Sequence, residues 1–231
     1  MKSKYRYLIP NSITFLSLTC GIVSILLSAT HHLYAAGILV LLSYILDLFD
    51  GALARRLQAA SSFGLQLDSL VDMVSLGTAP AVLVFMHLQA VNLTSWWVWP
   101  GILLLPLAGA FRLARFNLLP PKSKNDTDSV GLTISTGGAT IALAVLSDLS
   151  IAGEYLPDWS FLLMILTVSV LMVSTISFPS FYWIFAGRKK LLLLSLFGLS
   201  LLLTHFFHAW FLWTNAYLGL ALARAGYSKV R

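Results

Sequence analysis

LYAAGILVLLSYILDLFDGALARRLQAASSFGLQLDSLVDMVSLGTAPAVLVFMHLQ, residues 33–89, holds two apolar runs, 33–56 and 64–89, joined by a short turn that makes them antiparallel neighbours. Each run is long enough for one bilayer crossing, which needs roughly 20 residues. Each also carries two aspartates on one helical face. Asp47 and Asp50 are i,i+3 in the first, and Gly64, Asp68 and Asp72 are i,i+4,i+8 in the second. A carboxylate at the centre of a membrane helix costs about 2.5–3.5 kcal/mol on insertion scales, so such residues face the bundle interior and mark function.

Outward from this stretch the pattern continues. Of 231 residues 58% are hydrophobic and 10% charged, and the mean hydropathy is +0.84. That composition excludes a soluble globular enzyme. Further apolar runs at 11–30, 97–119, 132–149, 158–179, 191–204 and 207–223 predict an all-α integral membrane protein of about eight transmembrane helices. The last two runs, about 15 residues each, fall below the usual ~17–25. Basic clusters flank both ends of the pair, so it reads as a hairpin. No solenoid-like repeat interrupts the chain, and residues 122–129, KSKNDTDS, form its polar loop.

The fifteen Lys and Arg residues gather at the ends of these runs: Lys2, Lys4 and Arg6; Arg55 and Arg56; Arg112, Arg115, Lys122 and Lys124; Arg188, Lys189 and Lys190; Arg224, Lys229 and Arg231. All lie on one predicted side, and the intervening connections carry none. The positive-inside rule therefore predicts a multi-pass protein of the cytoplasmic membrane with both termini in the cytoplasm. The net charge of +6 reads as topology and not as a nucleic-acid surface. Trp96, Trp97, Trp99, Trp159, Trp210 and Trp213 fall at the predicted outer interface. The basic start MKSKYRYLIPNS resembles a signal peptide but precedes no small-residue cleavage site, so it reads as the lead of a retained first helix. Cys20, the single cysteine, reads as a small core residue. His31, His32, His87, His205 and His208 read as outer-interface residues far from the carboxylates.

Four carboxylates converging inside a bundle would repel one another unless cations sit between them. Hard oxygen donors without His or Cys select Mg²⁺, Mn²⁺ or Ca²⁺. At 1.5 Å per residue, Asp50 and Asp47 lie roughly 8 and 12 Å from the Arg55 end of their helix, and Asp68 and Asp72 roughly 6 and 12 Å from Gly64. The cluster thus belongs to the cytoplasmic half of the membrane, just below the headgroups. Gly51 and Ala54 leave the helix face bare beside the carboxylates, and Arg55 can pair with a phosphate. This arrangement suits a diphosphate bridged by two metals. A divalent cation transporter would use the same carboxylates but place them at the midplane between inverted repeats. A non-catalytic lipid-binding scaffold is the third class. Ordinary packing explains Gly51 and Gly64 taken alone, snorkelling explains Arg112 and Arg115, and helix capping explains Asn11.

Residues 47–72 match at every fixed position the signature D-x2-D-G-x2-A-R-x8-G-x3-D-x3-D, and the chain thereby resembles the CDP-alcohol phosphatidyltransferases. That resemblance implies a six-helix catalytic core, two divalent cations (Mg²⁺ or Mn²⁺) held by Asp47, Asp50, Asp68 and Asp72, and Asp72 as general base. It further implies nucleotide contacts at Gly51, Ala54, Arg55 and Gly64, with Asn11 and Thr14 of the PNxxT start beside them, and a homodimer. Within the family, residues 9–21, 63–81, 111–117 and 171–181 resemble the membrane-embedded phosphatidylserine synthases, although Thr133 and Ser135 stand where those enzymes carry prolines. The implied organisation is a catalytic core over 1–182 followed by a C-terminal helical hairpin and basic tail over 183–231. The implied reaction joins CDP-diacylglycerol to L-serine and releases CMP, with Arg112 and Arg115 holding the acceptor carboxylate and a phosphate. Related readings keep the chemistry and change the acceptor to inositol phosphate, glycerol phosphate or choline, or change the lipid to an archaeal ether lipid, as in archaetidylserine synthesis.

Overall fold

The computed structural model describes residues 5–57, 61–93, 95–118, 129–150, 156–178, 195–200 and 204–229. Its elements are α1 (Tyr5–Ala29), α2 (Leu33–Arg56), α3 (Ser62–Asp72), a π-helical turn (Met73–Thr78), α4 (Ala79–Ala90), α5 (Val98–Leu118), β1 (Ser129–Val130), α6 (Ile134–Ser150), α7 (Asp158–Val173), β2 (Ser177–Phe178) and α8 (Phe206–Lys229). Residues 195–200 are also helical.

Among the described residues four helices are long and apolar enough to cross a membrane: Tyr7–Ala29, Leu33–Ala54, Ser62–Ala90 and Val98–Leu118. Ile134–Ser150 and Asp158–Val173 are apolar but shorter. The expected boundary between core and hairpin, residues 182 and 183, lies outside the described residues, as do Lys2, Lys4, Lys122, Lys124, Arg188, Lys189, Lys190 and Arg231.

Small hydroxylated residues bring α1 and α2 together. Ser17 Oγ and Ser43 Oγ are 2.7 Å apart and Ser24 Oγ donates to the Ala36 carbonyl at 2.9 Å, while Ser75 Oγ of the π-helical turn donates to the Ser17 carbonyl of α1 at 3.1 Å. With no hydrophobic drive between helices in lipid, close approach and such bonds hold a bundle. At the centre stands α6, buried along nearly its whole length and packed on α2, α4, α7 and α8. It crosses the π-helical turn so closely that a Cβ on Gly138 would collide with the Leu76 carbonyl oxygen, so only glycine admits this crossing.

The structure departs from the sequence-based expectations in three places. The seventh helix ends at Val173 and not near 179, because Ser174 turns extended (φ −60, ψ 161) and leads into β2. That strand pairs antiparallel with β1, Ser129 opposite Phe178 and Val130 opposite Ser177. The last helix has 24 residues, longer than the expected span, and Trp213 Nε1 on it donates to Ser200 Oγ at 3.1 Å. Near the ends of α4, α6 and α8, His87 and Asp148 are buried together, Nε2 to Oδ2 3.2 Å, and His208 Nδ1 lies 2.7 Å from Ser147 Oγ.

Candidate active site

Helix α2 projects Asp47 and Asp50 inward from its C-terminal half, and α3 projects Asp68 and Asp72. The chain re-enters at Ser61, whose side chain accepts from Gly64 N at 3.0 Å and caps α3. Oxygens of Asp47, Asp50 and Asp68 all lie within 4.8 Å of one another. Asp72 packs its carboxyl against Asp47 and is 7% exposed. Directly after it the helix adopts its π turn, where Thr78 Oγ1 bonds the Met73 carbonyl at 3.0 Å. Such turns re-register a helix and recur at functional sites. Here the turn separates the face carrying Asp68 and Asp72 from the face of α4 that packs in the core.

A cavity of about 270 Å³ opens beside the carboxylates, lined by Asn11 and Thr14 of α1, Asp50, Gly51 and Ala54 of α2, and Ser61, Gly64 and Asp68 at α3, with Pro10, Leu65 and Phe116 completing the wall. Gly51, Ala54, Gly64, Asn11 and Thr14, named from the sequence, thus line one cavity. Gly64 faces Asn11 Oδ1, which would lie 3.6 Å from a Cβ there. Thr14 Oγ1 donates to Asp50 Oδ2 at 2.7 Å. The side chain of Arg55 lies outside the described residues.

The two arginines of α5 are placed differently. Arg112 is buried, 7% exposed, faces Asp72 and Asp47, and has no hydrogen-bond partner at Nε among the described residues. Its guanidinium carbon stands 5.8 Å from the Phe116 ring centroid. Arg115 points to the peptide backbone instead: Nη1 donates to the Val173 carbonyl at 2.8 Å, and Nη2 to the carbonyls of Val130, Met172 and Ser174 at 3.1 Å each.

Several residues around the site have no counterpart among those expected from the sequence. On α6 Ser135 and Thr136 stand near Asp47 and Tyr44 of α2, and on α5 Asn117 Nδ2 donates to Ser69 Oγ at 3.1 Å. None belongs to the spaced carboxylate pattern, and only the packing of α5 and α6 on α2 and α3 brings them in. Clustered hard oxygen donors, without histidine or cysteine among them, fit divalent cations of the Mg²⁺ or Mn²⁺ type.

The model of the CDP-alcohol phosphatidyltransferase family matches residues 7–173, a stretch that includes every helix lining the cavity. The chain belongs to the CDP-alcohol phosphatidyltransferase family. It is therefore an enzyme, and a membrane protein by its apolar helices. It is 36% identical over 173 residues to archaetidylserine synthase of Methanothermobacter thermautotrophicus, covering 74% of this chain and 69% of that protein. It is 33% identical over 209 residues to CDP-diacylglycerol–serine O-phosphatidyltransferase of Helicobacter pylori, covering 84% and 81%. To the enzyme of the same name from Mycobacterium leprae it is 30% identical over 216 residues, covering 88% and 70%.

Proposed function

We propose that this CDP-alcohol phosphatidyltransferase transfers the phosphatidyl group of CDP-diacylglycerol to L-serine, forming phosphatidylserine and releasing CMP. The observation that carries the reading is the meeting of Asp47, Asp50 and Asp68 within 4.8 Å beside a cavity whose walls at Gly51, Ala54 and Gly64 are bare enough for a nucleotide diphosphate. Two divalent cations bound by these carboxylates and Asp72 would neutralise the diphosphate and stabilise the charge on the departing CMP.

The remaining roles fall to this chain's own residues. Asn11, Thr14, Gly51, Ala54 and Gly64 receive the nucleotide, and Arg55 pairs with its phosphate. Asp72 takes the proton of the serine hydroxyl. The serine oxygen then bonds to the phosphatidyl phosphorus while the phosphorus–oxygen bond to CMP breaks. Arg112, buried beside Asp72 with a donor unengaged among the described residues, holds the serine carboxylate as it leaves water. Arg115 is assigned support of this site through the backbone it binds. Both termini and the site face the cytoplasm, where serine and CMP are soluble, and the enzyme works as a homodimer in the cytoplasmic membrane. Serine as acceptor draws support from the activities that name the relatives above. An archaeal ether lipid in place of diacylglycerol is the second reading, favoured by the similarity to an archaetidylserine synthase.

The test is lipid product identity. Detergent-purified protein with CDP-diacylglycerol, Mn²⁺ and a panel of serine, inositol phosphate, glycerol phosphate and choline should yield phosphatidylserine by mass spectrometry. Preferential conversion of another acceptor would refute serine and leave CDP-alcohol chemistry standing.

A further inference from the structure

Between α5 and α7 runs a groove of about 620 Å³, walled by Leu104, Leu107 and Phe111 of α5 and by Leu166, Val170 and Val173 of α7. The buried Ser169 forms its floor. Among the described residues, none is shared between this groove and the cavity beside the carboxylates. Arg115 closes one end of the groove. Its guanidinium carbon stands 5.9 Å from the Phe111 ring centroid, and its Nη atoms hold the carbonyls of Val173 and Ser174.

Both helices give the depth of that end. Trp99 and Trp159, 55% and 60% exposed, stand at their opposite ends. Arg115 follows Trp99 by sixteen residues and Val173 follows Trp159 by fourteen, so at 1.5 Å per residue the guanidinium lies about 21–24 Å from the tryptophans. The hydrocarbon of a bilayer is ~30 Å thick. With those tryptophans at one interface, Arg115 stays inside the hydrocarbon, short of the far headgroups by at least about 6 Å. An arginine at such depth snorkels outward or meets an anion. Arg115 cannot snorkel, because four backbone carbonyls pin its Nη atoms. Among the described residues no carboxylate pairs with it, and its Nε makes no hydrogen bond. One turn of α7 deeper than Val173, Ser169 Oγ is buried with no hydrogen-bond partner among the described residues.

We propose that this groove binds a second lipid, an anionic glycerophospholipid distinct from the CDP-lipid substrate. Its phosphate meets Arg115, the ester carbonyl below the phosphate accepts from Ser169 Oγ, and one acyl chain fills the trough between α5 and α7. Cation, hydroxyl and apolar wall follow one another along the groove in the order of phosphate, ester and chain in such a lipid. A bare hydrocarbon chain would leave both polar groups unpaired, and a lipid with a net negative headgroup compensates the buried charge best. The site requires the membrane placement given above and is independent of the acceptor alcohol.

Native mass spectrometry of the delipidated full chain in detergent, titrated with phosphatidylglycerol, reads the site without turnover. Phosphatidylcholine with the same chains should bind about tenfold more weakly, the scale of one charge-assisted bond. Leu107→Trp and Val170→Trp, both at exposed positions, fill the groove and should each weaken phosphatidylglycerol about tenfold or more. Leu103→Trp, exposed on α5 outside the groove, should bind as wild type does. Ser169→Ala should weaken the lipid about fivefold, the scale of one neutral hydrogen bond. Affinity for CDP with Mn²⁺ should stay at the wild-type value in all four variants. Arg115→Gln should abolish the preference for phosphatidylglycerol over phosphatidylcholine, and where it fails to fold the two groove-filling variants decide. Equal affinity of the wild type for the two lipids, or undiminished phosphatidylglycerol binding in both groove-filling variants, overturns the site. A tenfold rise in the KM for CDP-diacylglycerol in Val170→Trp would make the groove the substrate's own and overturn the second lipid.

Discussion

Arg115 Nη1 donates to the carbonyl oxygen of Val173 at 2.8 Å, joining the C-terminal end of α5 to the last residue of α7, while Arg112 one turn earlier is buried toward Asp72 and Asp47. Two arginines of one motif thus face opposite tasks, and their variants should behave differently. A charge-assisted bond contributes ~1.5–3 kcal/mol, so Arg112→Ala should raise the serine KM about 10- to 100-fold with a much smaller effect on CDP-lipid. Arg115→Ala should act first on stability, lowering the melting midpoint by about 3–6 °C for a net loss near 1.5 kcal/mol. Steady-state kinetics beside a thermal melt separates the two. Unchanged serine kinetics in Arg112→Ala would remove the carboxylate clamp.

Asp72→Asn should lower kcat by ~10²–10⁴, the usual contribution of a general base, with CDP-lipid binding largely kept because three carboxylates remain for cations. Retention of more than about a tenth of wild-type turnover would take the base assignment away from Asp72.

Gly138 tests the central crossing. A methyl there meets the Leu76 backbone, which can yield only by moving α6 off the π-helical turn. Gly138→Ala should destabilise by about 1–3 kcal/mol, the usual cost of overpacking, and reduce turnover by displacing the helix that carries Asp72. Gly219→Ala, where nothing lies within 4 Å, is the control. Equal melting midpoints for the two variants would contradict the crossing.

Much of the fold and site is legible in the sequence because lipid makes polar residues costly. Long apolar runs mark α1, α2 and α5, and the four aspartates inside such runs can be read as one cluster from their spacing alone. The π-helical turn after Asp72 leaves no trace in the pattern, since it is a slip of backbone hydrogen-bond register and alters no side chain. Arg115 reads like Arg112 along the chain, and its four carbonyl partners come from segments 15 to 59 residues away. His87 and Asp148 belong to different helices, and their pairing is a product of packing alone.

Chelation should abolish both turnover and tight CDP binding, because a bare diphosphate would then face four carboxylates. Isothermal titration of CDP with and without chelator measures this, and equal affinities would contradict a cation-bridged nucleotide.

The aspartate cluster, on this account, drives phosphatidyl transfer from a CDP-lipid to serine. The most direct measurement is CMP release from CDP-diacylglycerol by the purified protein with Mn²⁺, with and without L-serine. The expected result is serine-dependent CMP release that disappears on chelation and in Asp72→Asn. No CMP with any acceptor, or release equally fast in the Asp72→Asn protein, would contradict it.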